Sequence, residues 1–307
     1  MAERGLAVEG GGVSVSEPAD ERATRSARAG GFWRRALRNA RLVIGGVIVA
    51  IFLVLTALAP WIAPRDPLAR DLGNTLKPPS GEFLLGTDEL GRDLLSRLLY
   101  GARITLGISV VALVVSAVVG LVLGTSAGYV RGAWDHVAMR LIDVQLSFPG
   151  IILAIAVIAV MGRGLPGLAV ALSIFPIPAF ARLARATTMV ENEMEYVLAA
   201  RAVGVPHRLI LFRHILPNIM GPVLVQASLS IASIILVGSS LGFLGLGAQP
   251  PEPEWGLILS RGRSYVYSAP HMMTYPGLAV AAVVFGFTLL GDGLRDHLDP
   301  RLRGQLS

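Results

Sequence analysis

Cysteine is absent from this 307-residue chain, lysine occurs once, and only 16% of the residues are charged. Without cysteine the chain has no disulfide, no thiolate metal site and no thiol nucleophile. The single lysine, Lys77, is followed by proline, whereas a phosphate-binding P-loop needs lysine followed by serine or threonine. A soluble domain carries about 25% charged residues. These shortages exclude an ordinary soluble enzyme, and they predict that the chain binds no cofactor and that any ATP is bound by another chain.

Long apolar runs are abundant instead: 53% of the residues are hydrophobic and the mean hydropathy is +0.62. About 20 apolar residues cross the hydrocarbon core of a bilayer. Asp143 is the only charged residue within the runs, and residues 147–149 (SFP) predict a tolerated proline kink in the third, with a true helix break as the alternative. We therefore predict an all-α integral membrane protein with about six transmembrane helices, near residues 42–62, 104–128, 141–161, 165–181, 222–247 and 275–291.

Arginine dominates the basic residues and predicts the orientation, because cytoplasmic connections carry an excess of arginine and lysine. With the N-terminus inside, the inner segments hold 18 arginines and the outer segments hold 9 basic residues. Seven arginines and no acid lie in residues 22–41, just before the first span. Both termini are therefore predicted to be cytoplasmic. The net charge of +6 is explained by membrane topology, and no nucleic-acid partner is predicted.

The inner connection 182–221 is too long for a simple turn between helices. Acidic residues, including Glu195, open a short predicted helix that would stop at Gly204, a residue suited to a left-handed cap. A second amphipathic stretch, residues 207–216, is expected to end before Pro217. Two short helices meeting at a bend are consistent with docking into a partner, with Ala199 and Ala200 allowing close approach. An amphipathic pair lying on lipid headgroups is an equal alternative.

Other polar residues support weaker assignments. The fifth span is the most polar, so its Gln226, Ser228 and Ser233 are candidates for lining a transport pathway, although polar groups also bond neighbouring helices. In the predicted outer loops, candidates for contact with an external protein are Asp88, Glu89, Arg92 and Trp255. The alternatives are that residues 92–103 form an amphipathic helix that covers the bundle and that Trp255 anchors the chain at the membrane interface. The five histidines form no i, i+4 pair within a span, so no metal site is predicted.

The inner loop resembles that of binding-protein-dependent ABC importer permeases, whose consensus is E-A-A-x-x-x-G followed by I-x-L-P. The match comprises Ala199, Ala200, Gly204, Leu216 and Pro217. Leu198 stands in place of the consensus glutamate, for which Glu195 is a candidate substitute, and His214 stands in place of isoleucine. Further stretches resemble the C-type permease of the peptide/nickel subfamily: residues 85–97 (LGTDELGRDLLSR), 100–103, 147–149, 243–247, 291–296 and 298–301.

The resemblance spans residues 32–304 and implies a type I ABC importer permease fold in the inner membrane of a bacterium. It implies dipeptide or oligopeptide import with a homologous B-type permease, two ATPase subunits that bind ATP and magnesium, and an external substrate-binding protein. The expected residues of the ATPase-coupling loop are Glu195, Tyr196, Ala199, Ala200, Arg201, Gly204, Val205 and Pro217. The expected organisation is a disordered tail (1–31), a first transmembrane helix with an external loop (32–103), and a core permease domain (104–304) containing the coupling loop 182–221.

Two other function classes stay open at this point. A self-contained carrier or channel would place ionisable residues near mid-span and often contain an inverted repeat, and neither is evident. A membrane-embedded enzyme would need a clustered nucleophile and base, which the sequence lacks. Within the resemblance, a nickel-chelate importer is the alternative to a peptide importer.

Overall fold

A computed structural model describes residues 39–298, so the predicted tail 1–31 lies outside the described part of the chain. Every regular element within residues 39–298 is helical, which confirms the predicted fold class. The helices are α1 (Ala40–Ile62), α2 (Leu94–Val130), α3 (Gly132–Leu146), α4 (Gly150–Met161), α5 (Leu165–Ile174), α6 (Ile177–Glu191), α7 (Glu195–Ala202), α8 (His207–Phe243), α9 (Trp255–Gly262) and α10 (His271–Leu298).

Five helical stretches are long and apolar enough to cross a membrane, and a bent pair makes a sixth. The stretches are α1, α2, α5 with α6, α8 and α10, and the bent pair is α3 with α4. The chain therefore crosses six times if the bent pair counts as one crossing. The sides of the bundle are called inner, where α6 joins α7, and outer, where residues 63–93 and α9 lie.

The third span differs from the prediction. The axes of α3 and α4 meet at 91° around residues 147–149, so this segment is a helix break and the predicted kink is wrong. Pro149 cannot donate a backbone hydrogen bond, and it begins α4 as its N-cap residue. Hydropathy could not reveal the bend because it reports how apolar a segment is and not the direction of its axis.

Two predicted boundaries also change. The separate outer helix expected at residues 92–103 is the first part of α2, which runs without interruption from Leu94 to Val130. The stretch expected to end before Pro217 continues into α8, where it is π-helical over Ile210–Ile215. Because Pro217 has no N–H, the carbonyl four residues earlier lacks its usual donor, and the wider turn accommodates this.

Both described ends of the chain lie on the same side. α1 packs along α10. Arg41 Nη1 lies 3.3 Å from Asp296 Oδ2, and the Asn39 side chain caps α1 by accepting from the backbone N–H groups of Arg41 and Leu42. An even number of crossings joins these ends, as the arginine distribution predicts.

Helix α2 and helix α6 approach each other through glycines. A Cβ atom on Gly120, Gly124 or Gly128 of α2 would lie within 2.1–2.7 Å of α6 atoms. At Gly124 the obstructing atom is the Ala181 carbonyl oxygen, at 2.1 Å. Small residues permit such close packing in membranes, where dispersion contacts hold helices together. The contact fixes α6 against the longest helix of the bundle.

We expect Gly124→Ala to lower the thermal unfolding midpoint of the purified chain, because the new methyl group must displace backbone. Overpacking of this kind costs about 1–3 kcal/mol. The matched control is Gly107→Ala on the same helix, where an added Cβ meets nothing within 4 Å. Equal midpoints for the two variants would contradict the close contact of α2 and α6.

Candidate functional site

The predicted inner loop starts later than residue 182, because α6 continues to Glu191, but its predicted short helix is present and stops before Gly204. Helix α7 spans Glu195–Ala202, and Gly204 has φ +78°. The Gly204 N–H donates to the Arg201 carbonyl, and the Val205 N–H donates to the Ala200 carbonyl, both at 3.0 Å. This is a Schellman cap, in which a left-handed residue satisfies the last helix carbonyls. The left-handed cap, a prediction from the sequence, is therefore present in the structure.

One face of α7 is packed against the start of α8. Val197 and Ala200 are buried with Ile210, Ile215 and Ile219, and Val205 is partly buried beside them. Ala199 is exposed, so only one of the two adjacent alanines faces outward. The outward surface carries several large apolar side chains, and we call these the exposed apolar patch: Leu198, Val203, Leu209 and Phe212.

Polar contacts tie α7 to its neighbours. The Tyr196 hydroxyl donates to a Glu191 carboxylate oxygen and accepts from the Asn218 amide at 2.8 Å. Partial burial and the carboxylate of Glu191 raise the pKa of Tyr196, so it stays a neutral donor. Arg201 donates to the Asn192 side chain, and its guanidinium lies 5.5 Å from the centroid of the Tyr129 ring. These contacts join α7 to the end of α6 and to α2, whereas Glu195 is exposed and Pro217 lies in the first turn of the α-helical part of α8.

A cleft of about 310 Å³ opens beside both helix interruptions. Small-molecule sites occupy about 300–1,000 Å³. The cleft lies where α3 bends into α4 and where α5 gives way to α6, with α8 as the third wall. Its lining carries amides, hydroxyls, phenyl rings and aliphatic groups but no charged side chain: Gln145, Leu146, Phe148, Gly150, Leu153, Phe175, Pro176, Pro178, Ala179, Gln226, Leu229, Ser230 and Ser233.

Two of the three predicted pathway residues line this cleft. Gln226 and Ser233 do so, and the Gln226 amide donates to Ser230 Oγ at 3.1 Å. Ser228 is not part of the lining, and its hydroxyl donates to the Leu224 carbonyl of the same helix at 2.9 Å. Ser230 belongs to the polar span favoured from the sequence as pathway-lining, whereas Gln145 was not predicted to line the pathway. The position of the cleft could be predicted in part, because prolines at 149, 176 and 178 mark where helices are interrupted.

The outer loops hold a buried charge network. Asp88 Oδ2 lies 2.6 Å from Arg92 Nε and 3.2 Å from Arg97 Nε. Asp88 and Arg92 are 2% and 4% exposed, so they have no surface to offer an external protein. Trp255 is 1% exposed, and its indole N–H donates to the Leu98 carbonyl at 2.9 Å. These three residues fasten the outer loops to the bundle, and only Glu89 of the four predicted contact residues keeps accessible surface.

Glu254 anchors α9 from within this region. As the N-cap it accepts from the Gly256 and Leu257 N–H groups at 2.8 Å, and from the Thr105 hydroxyl at 3.2 Å. It is 2% exposed. Burial raises the pKa of its carboxyl group above the usual value of a glutamic acid, although the backbone hydrogen bonds act in the opposite direction. From the sequence Glu254 is a candidate for contact with the docked partner, and its capping role was not predicted because an N-cap glutamate is uncommon.

A bundle of apolar helices with a capped inner helix and an uncharged cleft between its spans is typical of the membrane component of a transporter. The model of the "binding-protein-dependent transport system inner membrane component" family matches residues 120–304, and that of the "N-terminal TM domain of oligopeptide transport permease C" matches residues 29–79. The chain belongs to the binding-protein-dependent permease family.

Curated relatives match along most of the chain. The glutathione transport system permease protein GsiD of Pectobacterium atrosepticum is 45% identical over 273 residues, covering 89% of this chain and 91% of the relative. The di/tripeptide transport system permease protein DppC of Pseudomonas aeruginosa is 44% identical over 279 residues, covering 89% and 92%. An inward-facing structure of the MetNI methionine ABC transporter matches with a TM-score of 0.54 at 21% identity, covering 65% of this chain and 95% of the matched chain, so it supports the type I importer fold. The chain is a multi-pass inner-membrane permease subunit, and a peptide-type ABC permease as the resemblance implied.

We expect Glu254→Gln to change how stability depends on pH. Because the folded-state pKa of Glu254 is raised, its carboxyl group stabilises the fold fully below the unfolded pKa of about 4.3, and this contribution is lost as pH rises through the folded value. The unfolding midpoint of Glu254→Gln should therefore rise relative to wild type between pH 4 and pH 8. Parallel pH profiles for the two proteins would contradict the raised pKa.

Proposed function

We propose that this chain is one of two permease subunits of an ATP-driven importer of short peptides. The relatives named for glutathione and for di- and tripeptides support this substrate class. The uncharged cleft also fits a peptide substrate. Its amide and hydroxyl groups can form hydrogen bonds with a peptide backbone without selecting particular side chains. The lining contains no histidine or carboxylate, which disfavours a nickel ligand in the described part of the pathway.

One observation carries the mechanism. Helix α6 starts at the cleft, where Pro176 and Pro178 are part of the lining, and it ends at Glu191, with three residues between it and α7. A movement of the coupling loop therefore reaches the cleft through one short helix. In the proposed cycle, ATP binding closes two partner ATPase subunits, moves α7, and turns the cleft toward the outside, and hydrolysis resets it.

The energetic requirement is differential affinity. A ligand moves a two-state equilibrium from 1:99 to 99:1 only if it binds the favoured state by about 5.5 kcal/mol more tightly. A rigid connection is needed to transmit such a bias, and the Schellman cap, the Tyr196 contacts and the glycine contact of α6 with α2 supply it. ATP and magnesium would be held by the partner subunits, with a homologous B-type permease completing the pathway and an external binding protein delivering the cargo.

Reconstitution tests this proposal. The membrane complex is reconstituted in proteoliposomes from this chain, its sister permease and two ATPase subunits. These proteoliposomes should accumulate labelled dipeptide, tripeptide or glutathione only when ATP and the binding protein are present. Nickel is the control cargo and should not accumulate. Uptake by this chain alone, driven by a proton gradient, would instead establish the self-contained carrier.

The exposed apolar patch should be the docking surface of the ATPase subunit. Val203 is 80% exposed beside the Gly204 cap, and burying a valine contributes about 1.5 kcal/mol or more. We expect Val203→Asn to weaken capture of the ATPase subunit about tenfold. The matched control is Tyr267→Asn, at a fully exposed residue of the outer side. Unchanged capture by the Val203 variant, measured by titration of the purified subunits, would contradict docking at this patch.

A further inference from the structure

The interruption between α5 and α6 leaves backbone carbonyls without their helix partners, and that of Ile174 is one of them. The Ile174 carbonyl would accept from the N–H of residue 178, and Pro178 has none. The Gln145 side-chain amide takes that place and donates to the Ile174 carbonyl at 2.7 Å. Gln145 lies in the last turn of α3, directly before the 91° bend. One side chain thus joins the two interruptions that border the cleft.

Two ion pairs also join α3 to the span made of α5 and α6. Arg185 of α6 grips Asp135 of α3 with two hydrogen bonds of 2.5 and 2.6 Å, and Arg182 lies 2.8 Å from Asp143. The three contacts follow one another along α3 and in reverse order along the α5–α6 segment. Asp135 and Gln145 are ten residues apart, which corresponds to about 15 Å of helix. The contacts therefore form a continuous seam from the inner side to the cleft.

The three contacts differ in strength and position. The side chains of Arg182 and Asp143 are 54% and 51% exposed, and exposed ion pairs contribute little. Asp135 is buried, but it lies in the first turn of α3, far from the cleft. Gln145 is the only one of the six partners that also lines the cleft. The contact of this seam that lies at the cleft is therefore the hydrogen bond between the Gln145 amide and the end of α5.

We infer that Gln145 is a positioning residue that transmits the movement of the α5–α6 span to α3 and α4 through its hydrogen bond to the Ile174 carbonyl at the end of α5. The bond holds the bend of α3–α4 in register with the junction of α5 and α6, so the cleft changes shape when the coupling loop moves. Without it, α6 moves past the bend and ATP is hydrolysed with less transport. This inference rests on the proposed function, because it assigns a residue to the coupling step of that cycle.

The test measures peptide transported per ATP hydrolysed by the complete reconstituted importer. Gln145→Leu keeps a side chain of similar size and removes the donor. We expect the ratio to fall about fivefold, the effect of losing one net hydrogen bond, while ATP hydrolysis continues. An unchanged ratio overturns the inference. The matched control is Gln249→Leu, which removes an amide that donates to the Gly247 carbonyl at 2.9 Å in an outer loop, and it should leave the ratio unchanged.

A second variant tests whether Gln145 transmits movement or only provides the Ile174 carbonyl with a hydrogen-bond donor. Pro178→Ala supplies a backbone N–H four residues after Ile174, so the carbonyl no longer needs the glutamine and the fold is protected. A carbonyl oxygen accepts two hydrogen bonds, so Gln145 can keep its bond beside the new N–H, and we expect Gln145→Leu to lower the ratio in this background as well, by about the same factor. If it has no effect there, Gln145 serves only to satisfy the carbonyl and the inference is wrong.

The outcomes for the two proposals are distinct. Wild-type complex that accumulates no peptide with ATP and binding protein contradicts the proposed function. Wild-type complex that accumulates peptide, with an undiminished ratio in Gln145→Leu, contradicts only the role of Gln145.

Discussion

Backbone groups inside a bilayer must find their hydrogen-bond partners within the protein, because the hydrocarbon offers none. Three prolines near the middle of this chain remove donors that helices would otherwise use, at positions 149, 176 and 178. Such interruptions are tolerated only where protein or a water-filled cavity covers them. The fold accordingly brings both interruptions to one cleft and closes the seam between them with a glutamine amide. The position of the cleft thus follows from where the helices cannot be completed.

Close packing of glycines then decides which parts of the bundle belong together. α2 and α6 share a contact that admits no Cβ atom over two turns, and α1 and α10 meet in the same way at Gly45 and Gly293. By contrast, α7 rests on a small apolar cluster with α8 and α2 and is bound to the end of α6 by side-chain hydrogen bonds. The inner loop is therefore attached to a rigid pair of helices and leaves a face of large apolar side chains outside.

Much of the fold could be predicted from the sequence, because long apolar runs and the arginine distribution report directly on the solvent around a segment. The cap at Gly204 was predictable as well, since a left-handed residue after a short helix is a local property. The 91° bend could not be predicted, because the same residues, including a proline, are found at a helix kink and at a complete helix break. The burial of Asp88, Arg92 and Trp255 was also hidden, since their partners Arg97, Leu98 and Thr105 belong to a helix that hydropathy started ten residues too late.

The uninterrupted length of α2 has a consequence for how this chain can vary. Its 37 residues extend about 55 Å, well beyond the hydrocarbon core. Near one end Gly101 and Thr105 face the loop that carries Trp255, and near the other end Gly128 faces Arg185. One inserted residue would turn these two faces by about 100° relative to each other. The segment between them can therefore accept substitutions on its lipid-facing side while its length stays fixed, so insertions and deletions should be confined to the connections outside it.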